Sequence, residues 1–501
     1  MLDYNLEDRG EKSLYDYLYQ RIRDDITSGA IGAGDRLPSK RALAQHLGVS
    51  VVTVEAAYAQ LVAEGYVKAR PRSGYFAVSL QSPGEAKPRL RAAAPKPRKE
   101  GPDAAVAVDL TGSGGAGTAA LWSRALRRTL AEEPEHEVFL PTPAAGSERL
   151  RQALADYLRQ SRGMEVDSGR IVVGAGAQVL DNMLVQLLGR EAAYAVEDPG
   201  YPRLKRLYEA NGVRRVVEVP LDGEGVRTDA LVASGADVLH IMPSHQFPTG
   251  RVTSISRRYE LLGWASAGSL EHSRWIIEDD FDCEFRLAGR PVPPLAAIDA
   301  EGRVAYTNTF SKGLGSGMRL AYMVLPEELA DRFASELGFY SSTVSSVQQV
   351  TLARLLESGD YERHVNRMRK QRREERDELI GALAESAAAG RLRFEEADSG
   401  LHFVLAADSS RGEEELAADL LARGVRVAPL SSFAAMPENA MRKDGLRRFV
   451  VQYGGLTADQ IKLVAESFSR AIGWQEGPPK ARSLHLPGSQ CCVPDASLHH
   501  P

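Results

Sequence analysis

Cysteine is scarce in this chain. Three of the 501 residues are cysteines, Cys283, Cys491 and Cys492, and two of these are adjacent near the end. Neither a disulfide framework nor the paired spacing of a zinc site can be built from them. No metal is therefore expected, and a reducing cytoplasm is the compartment that fits. Long apolar runs are missing too. Nothing approaches the roughly 20 consecutive apolar residues of a membrane helix, and the opening MLDYNLEDRG is too acidic and polar for a signal peptide. There is no internal repeat. A general excess of positive charge is also absent, since the formal net charge is −5. That argues against a chain that is basic throughout but leaves room for a local basic surface, because net charge hides its distribution.

What is present is ordinary globular composition, 43% hydrophobic and 26% charged, in a length that calls for two or three domains. The first spans residues 1–80. Leu14, Leu18, Ile22 and Ile26 recur every four residues and predict an amphipathic helix. GAIGAGDRLPS breaks it. Ser39 can cap a second helix, KRALAQHL, and Ser50 a third, VVTVEAAYAQLVAEG, with Val54, Ala57 and Leu61 as its apolar stripe. YVKAR and YFAVSL read as short strands joined by PRSG. Three helices and a two-stranded wing make a winged helix-turn-helix, whose third helix would enter the major groove of double-stranded DNA.

Candidate DNA contacts follow from that placement. Arg36, Ser39, Lys40 and Arg41 surround the start of the second helix, and Ser50, Val51, Val52, Thr53 and Glu55 the start of the third. Lys68, Arg70, Arg72 and Gly74 lie in the wing. Serine and threonine can bond bases or phosphates, and valine can touch a thymine methyl. Between residues 36 and 80 the acids are only Glu55 and Glu64. A small helical domain with solvated charges would share the periodicity. The stretch GDRLPSKRALAQHLGVSVVTVEAAYAQLVAEGYVKARPRSGYFAV goes further and resembles the GntR-type winged helix along its whole length. It departs at Val51, where many relatives carry arginine, so one phosphate or base contact is expected to be missing.

Residues 81–108 are rich in proline, alanine, lysine and arginine and carry no apolar period, which predicts a semi-extended linker. From 109 to 474 helical patterns alternate with short apolar runs: RIVVGAG, AAYAVED, DVLHIMPS, WIIEDD, VAYTNTF and AYMVLP. This predicts an α/β domain with a mainly parallel sheet covered by helices. A long helix around YERHVNRMRKQRREERDELIGALAE leads into a smaller C-terminal α+β part, and residues 475–501 lack periodicity and are expected to be disordered.

The ends of these runs carry the polar motifs. GAGAQ, Gly174 to Gln178, lies between a strand and a helix, where small residues let a phosphate approach helix N–H groups. Glycine is common at any such turn, so the signal is weak alone. EDPGYP places Tyr201 in a loop where it could cover a flat ligand or simply form a turn. IIEDDFDCEF ends a strand in a dense acidic cluster, and adjacent buried carboxylates need a cationic partner; a solvated or metal-binding loop is the alternative. FSKGLGSGMRLAYMVL adds Lys312 and, seven positions on, Arg319. A phosphate, a flat ring, a ring nitrogen needing a carboxylate and an aldehyde needing an amine together describe pyridoxal 5'-phosphate (PLP).

The order GAGAQ, EDPGYP, SHQFPTG, EDDFDCEF, TFSK and Arg319 resembles fold-type-I aminotransferases, and with the winged helix in front it is most similar to the MocR family of regulators, over residues 11–474. The resemblance implies that Lys312 is the Schiff-base lysine, that Asp279 pairs with the pyridine nitrogen and that Tyr201 stacks on the ring. Ala177, Gln178, Thr309, Ser311 and Arg319 would line the phosphate cup. The family's tyrosine two residues after the aspartate, which donates to the ring oxygen, is Phe281 here, and phenylalanine cannot donate. His245 or Gln246 would have to supply that bond. LAPG after the lysine reads LGSG, with Ser316 in place of proline. The arginine that binds a substrate carboxylate in true aminotransferases falls at Val450 rather than at Arg447 or Arg448.

The expected function is that of a homodimeric transcriptional regulator whose aminotransferase-like domain senses a small-molecule effector, PLP itself or PLP plus an amine, and so alters operator binding. A working aminotransferase with a DNA-binding appendage is the second reading, and residual half-reactions are compatible with either.

Overall fold

Local capping fixes the first helices. In the computed structural model, Leu14–Ser28 (α1) starts where the Ser13 hydroxyl accepts from the Asp16 N–H, and it stops at Gly29 in the left-handed region. Lys40–Leu47 (α2) and Val51–Ala63 (α3) are capped by Ser39 and Ser50 in the same way. The structure describes all residues except 1, 11, 80–105, 113–117, 269–272, 288–291, 399, 437–438, 440–443 and 473–501. The expected tail and most of the expected linker lie outside the described residues. The chain divides into two units, residues 1–101 and 102–501, each described by itself.

In the first unit, Leu18, Ile22 and Ile26 of α1 meet Leu43 and Leu47 of α2 and Val54, Ala57 and Leu61 of α3 in one core. Tyr58 joins them, fully buried, and its hydroxyl donates to the Pro38 carbonyl at 3.0 Å. Val67–Arg70 (β1) and Gly74–Ala77 (β2) form the antiparallel wing, with Val67 opposite Ala77. Arg72, at its tip, takes a left-handed backbone at φ 62°.

The strands of the second unit are β3 (Val108–Asp109), β4 (Ile171–Gly174), β5 (Ala193–Asp198), β6 (Arg215–Pro220), β7 (Val238–Ile241), β8 (Trp275–Asp279), β9 (Val304–Thr309), β10 (Ala321–Val324), β11 (Leu392–Glu395), β12 (His402–Ala407), β13 (Val425–Arg426), β14 (Ala428–Pro429) and β15 (Arg447–Gln452). Seven make the large sheet in the order β4-β10-β9-β8-β7-β5-β6. It is parallel except at β10, which runs antiparallel to both β4 and β9. A smaller antiparallel sheet has the order β11-β12-β15-β14, and β3 pairs with β13. Val108 thus already belongs to the core of this unit. The six apolar runs of the sequence are strands. The seventh, β6, escapes that pattern because Arg215 and Glu218 interrupt its valines, as an edge strand tolerates.

Both faces of the large sheet are covered, so neighbouring residues enter different cores. Val172, Ile277 and Met323 face one cluster, Val173 and Tyr322 a second, and Ile276 a third. Because β5, β7, β8 and β9 are parallel, their C-terminal ends share one edge with the end of β4 and the start of β10, where Ala321 lies opposite both Gly174 and Thr309. Such an edge is where ligands bind in open α/β sheets.

The acidic run that closes β8 is sorted by the pleat. Glu278 and Asp280 turn to the buried side, where Arg258 lies 3.7 Å from Glu278 and Arg162 lies 2.7 Å from Asp280. Tyr306 also donates to Asp280 at 2.8 Å. Burial pushes Asp280 up, but Arg162 and these hydrogen bonds outweigh it and hold the carboxyl below its ordinary range. Glu278, less closely paired, is pushed up to about 7 by burial. Cationic partners therefore account for the burial of Glu278 and Asp280.

Removing one half of a buried pair strands the other charge. Arg162→Leu is expected to destabilise the large unit by about 3–5 kcal/mol in urea unfolding, and Arg162→Leu with Asp280→Leu by much less. A single-variant loss under about 1 kcal/mol would mean that the pair behaves as an exposed one.

Candidate functional site

The first unit presents its predicted contacts to solvent. Val52 is 73% exposed and Val51 42%, at the start of α3. Ser50 has two tasks there: its hydroxyl accepts from the Thr53 N–H at 3.1 Å and lies 2.7 Å from the Thr53 hydroxyl. Ser39 caps α2 through the Ala42 N–H at 3.2 Å. Both serines thus build the helix ends that aim the neighbouring residues. Arg36, Arg41, Lys68, Arg70 and Arg72 are exposed. Lys40 differs, because it is ion-paired with Glu55 of α3 and stands 5.6 Å from the Tyr75 ring centre. Arg70 lies over Phe76, 4.7 Å from the ring centre, and Gly74 leaves room for the Arg36 guanidinium beside the wing.

In the second unit the predicted residues gather at the shared sheet edge. Helix Ala177–Leu188 begins at Gly176, φ 94°, without a side-chain cap, so its first N–H groups remain available to an anion. A Cβ on Gly176 would collide with the Arg319 guanidinium. Arg319 itself is exposed and left-handed, φ 50°. Ala177 and Gln178 form the first turn of that helix. The Thr309 and Ser311 hydroxyls are 2.7 Å apart and the Ser311 N–H donates to Thr309 at 3.2 Å. Open N–H groups, two hydroxyls and a guanidinium suit a phosphate.

Lys312 Nζ stands 5.7 Å from the ring centre of Phe281. Burial holds its ammonium below the ordinary lysine value, against the pull of Asp282 and Asp279. Asp279, on the cleft side of β8, lies 3.8 Å from His240 Nε2, within ion-pair reach but beyond a direct hydrogen bond. His240 Nδ1 is 2.5 Å from the Tyr208 hydroxyl. Burial lowers the His240 pKa, yet the carboxylates of Asp279, Asp181 and Glu197 outweigh it and leave the pKa raised. Burial pushes Glu197 up to about 8 and Asp181 to about 7. A protonated His240 would give Asp279 a buried cationic neighbour. Tyr201, 38% exposed, meets Phe247 edge-on at 6.0 Å.

The two candidate donors to the ring oxygen are placed differently. Gln246 gives both amide hydrogens to the carbonyls of Pro199, at 2.9 Å, and Phe247, at 2.7 Å, while its oxygen accepts from Thr249. It braces the loop, and both of its amide hydrogens are taken by loop carbonyls. His245 remains, with Nδ1 2.8 Å from Asp282. Three neighbours are given no role of their own by the motifs. Asp282 pairs with His245, His402 meets Phe247 edge-on at 5.2 Å, and His240 holds Asp279. Burial drives His402 down to about 4, so it is neutral. A histidine inside an apolar strand, as in DVLHIMPS and GLHFVLA, was the available signal.

The comparisons with known proteins agree with both halves. Residues 14–77 match the gntR family of bacterial regulatory proteins, and residues 114–468 match aminotransferase class I and II. An HTH-type pyridoxine biosynthesis transcriptional regulator, PdxR of Corynebacterium glutamicum, is 32% identical over 83% of this chain and 88% of its own length. The uncharacterized HTH-type transcriptional regulator YdeL of Bacillus subtilis is 35% identical, covering 83% and 89%. MocR of Rhizobium meliloti, a probable rhizopine catabolism regulatory protein, is 31% identical, covering 83% and 86%. Among solved structures, an archaeal alanine:glyoxylate aminotransferase superposes with a TM-score of 0.62 at 23% identity, over 73% of this chain and 90% of that one, which shows the fold. A winged helix with its cations outward, followed by an aminotransferase fold, places the chain in the MocR family of HTH-type transcriptional regulators.

Proposed function

We propose that the aminotransferase-like unit of this regulator holds PLP and serves as its effector sensor, reading PLP itself or PLP with an amine, and that it does so in the cytoplasm as a homodimer. The observation that carries the sensor reading is the side of the cleft formed by β15. Val450 lies in an apolar cluster with Leu430, against Phe247. Arg448 is 2% exposed and paired with Glu395 at 2.9 Å and with Asp444. Arg447 donates to the Arg411 carbonyl at 2.8 Å. Both arginines are engaged within the protein, and the resemblance puts Val450 where an aminotransferase has its carboxylate-binding arginine.

The residues of the cleft fit the cofactor. Arg319, Thr309, Ser311 and the start of helix Ala177–Leu188 would hold its phosphate, Asp279 backed by His240 its ring nitrogen, and Tyr201 one ring face. PLP supplies an aldehyde and an electron-withdrawing ring when bound. Lys312, its ammonium pKa lowered by burial, is more often neutral at a given pH and so more nucleophilic. Phe281, across from it, offers no hydrogen bond. The completeness of the Lys312 and Asp279 pair favours the second reading, a working aminotransferase. Robust multiple turnover with an amino-acid panel and an α-keto acid would sink the sensor-only reading.

An exposed aromatic patch supports the dimer. Phe339 is 79% exposed, Phe139 68%, Leu140 58% and Tyr340 37%. Gln349 ties the two segments together, donating to Thr142 at 2.9 Å and Ser342 at 3.1 Å. Four large apolar side chains left to water on adjoining segments suit contact with a second copy.

Sensing requires the ligand to favour one arrangement of the regulator over another. Titration of an operator located by footprinting, with and without PLP, is expected to show a shifted apparent Kd for the wild type and none for Lys312→Ala. An equal response of both proteins would reject sensing through Lys312. Phe339→Asp is expected to move the sedimentation mass from dimer to monomer and to weaken operator binding as two-site attachment is lost. A dimer that survives this change and Phe139→Asp would place the interface elsewhere.

A further inference from the structure

Between the C-terminal edge of the large sheet and the small sheet lies a cavity of about 580 Å³. Lys312, Asp279, Tyr201 and Arg319 do not line it. One wall carries Pro199, Thr249 and Arg251, the other Glu395, Glu396 and Arg448. Most of its charges are paired. Arg448 holds Glu395, Arg227 holds Asp229, and Arg257 holds Asp222 at 2.8 Å. Arg251 and Glu396 are the exceptions. Arg251, half-buried, donates to the Asp222 carbonyl and makes no ion pair with a carboxylate among the described residues. Glu396 likewise has no ion pair among them, though the two charges are close enough to influence each other.

Both groups are held in place by backbone. The Arg251 carbonyl accepts from the Gln246 N–H at 2.8 Å and its own N–H donates to the Thr249 hydroxyl at 3.3 Å, so the loop braced by Gln246 aims it. Glu396 has a left-handed backbone at φ 55°, uncommon for a residue with a side chain. One cation and one anion across a cavity suit a ligand that carries both signs. A dianion would meet Glu395, Glu396 and Asp222, and a simple cation would meet three arginines.

We propose that this cavity binds a small, non-covalent zwitterion, with Arg251 taking its carboxylate and Glu396 its ammonium. The proposal rests on the sensor reading and adds to it an effector class and a place beside the cofactor cleft. A ligand there touches both halves of the unit and can favour one spacing of them. It also provides the carboxylate with a guanidinium that is not already held by carboxylates, as Arg448 of β15 is.

Calorimetry on the full-length, PLP-loaded protein tests it, with 4-aminobutanoate, 5-aminopentanoate and L-alanine as probes and butanoate and butylamine as controls. At least one zwitterion is expected to bind wild type and Lys312→Ala alike. Arg251→Ala should weaken it about tenfold or more, the loss of a charge-assisted hydrogen bond, and Arg251→Lys should restore part of the affinity. Glu396→Gln should weaken the zwitterion but leave butanoate unchanged. The proposal is overturned if no probe binds, if binding disappears in Lys312→Ala, or if Arg251→Ala and Glu396→Gln bind as wild type does. A PLP response in DNA titration that persists beside a negative calorimetric result leaves the sensor reading standing and removes only this cavity. A missing PLP response removes the sensor reading itself.

Discussion

The pleat of β8 governs the rest of the large unit. Two successive carboxylates, Asp279 and Asp280, leave the same strand end in opposite directions. One faces the cleft and the other a buried guanidinium at 2.7 Å. A slip of one residue would exchange them, burying Asp279 beside Arg162 and turning Asp280 toward the cleft. Pairing of β8 with β7 and β9 in parallel register prevents this, with Asp279 opposite Thr307 and Ile277 opposite both His240 and Ala305. The ion pair beneath the strand and the cleft above it are thus two sides of one register.

Features local in sequence were readable in advance. Caps at Ser39 and Ser50, the wing, and six of the seven large-sheet strands follow from spacing and side-chain type, and so do the residues that sit on the turns after those strands. Glu278, Asp279 and Asp280 looked like one cluster because their neighbours are distant in the chain: Arg162 comes over a hundred residues earlier. His240 and His402 sit inside apolar strands, where periodicity assigns them to the core and says nothing about which carboxylate they meet. Gln246 shows the opposite limit. Its residue type allowed a ligand contact, but the loop carbonyls of Pro199 and Phe247 had first claim on its hydrogens.

Two halves of the cleft carry different chemical demands. The large-sheet edge gathers a lysine, a carboxylate, two hydroxyls and a guanidinium, while β15 contributes an apolar side chain, Val450, packed with Leu430. On the proposed reading, an anchor kept without a substrate handle would separate holding a cofactor from consuming a substrate. The fold is shared with enzymes, and here it follows a winged helix of the gntR family.

Lys40 and Glu55 have a consequence for how the first unit meets DNA. Each cation that docks on a phosphate normally sheds a diffuse neutralising ion into bulk solvent, and that release sets the steepness of the salt dependence. Lys40 already has an anion from its own chain. If it turns to a phosphate, it trades one fixed partner for another, and the freed carboxylate takes up the charge balance on α3. This lysine then contributes less to salt sensitivity than the five exposed cations around it. Glu55, one turn into α3, would then be a built-in competitor for that lysine, indifferent to the sequence of the duplex.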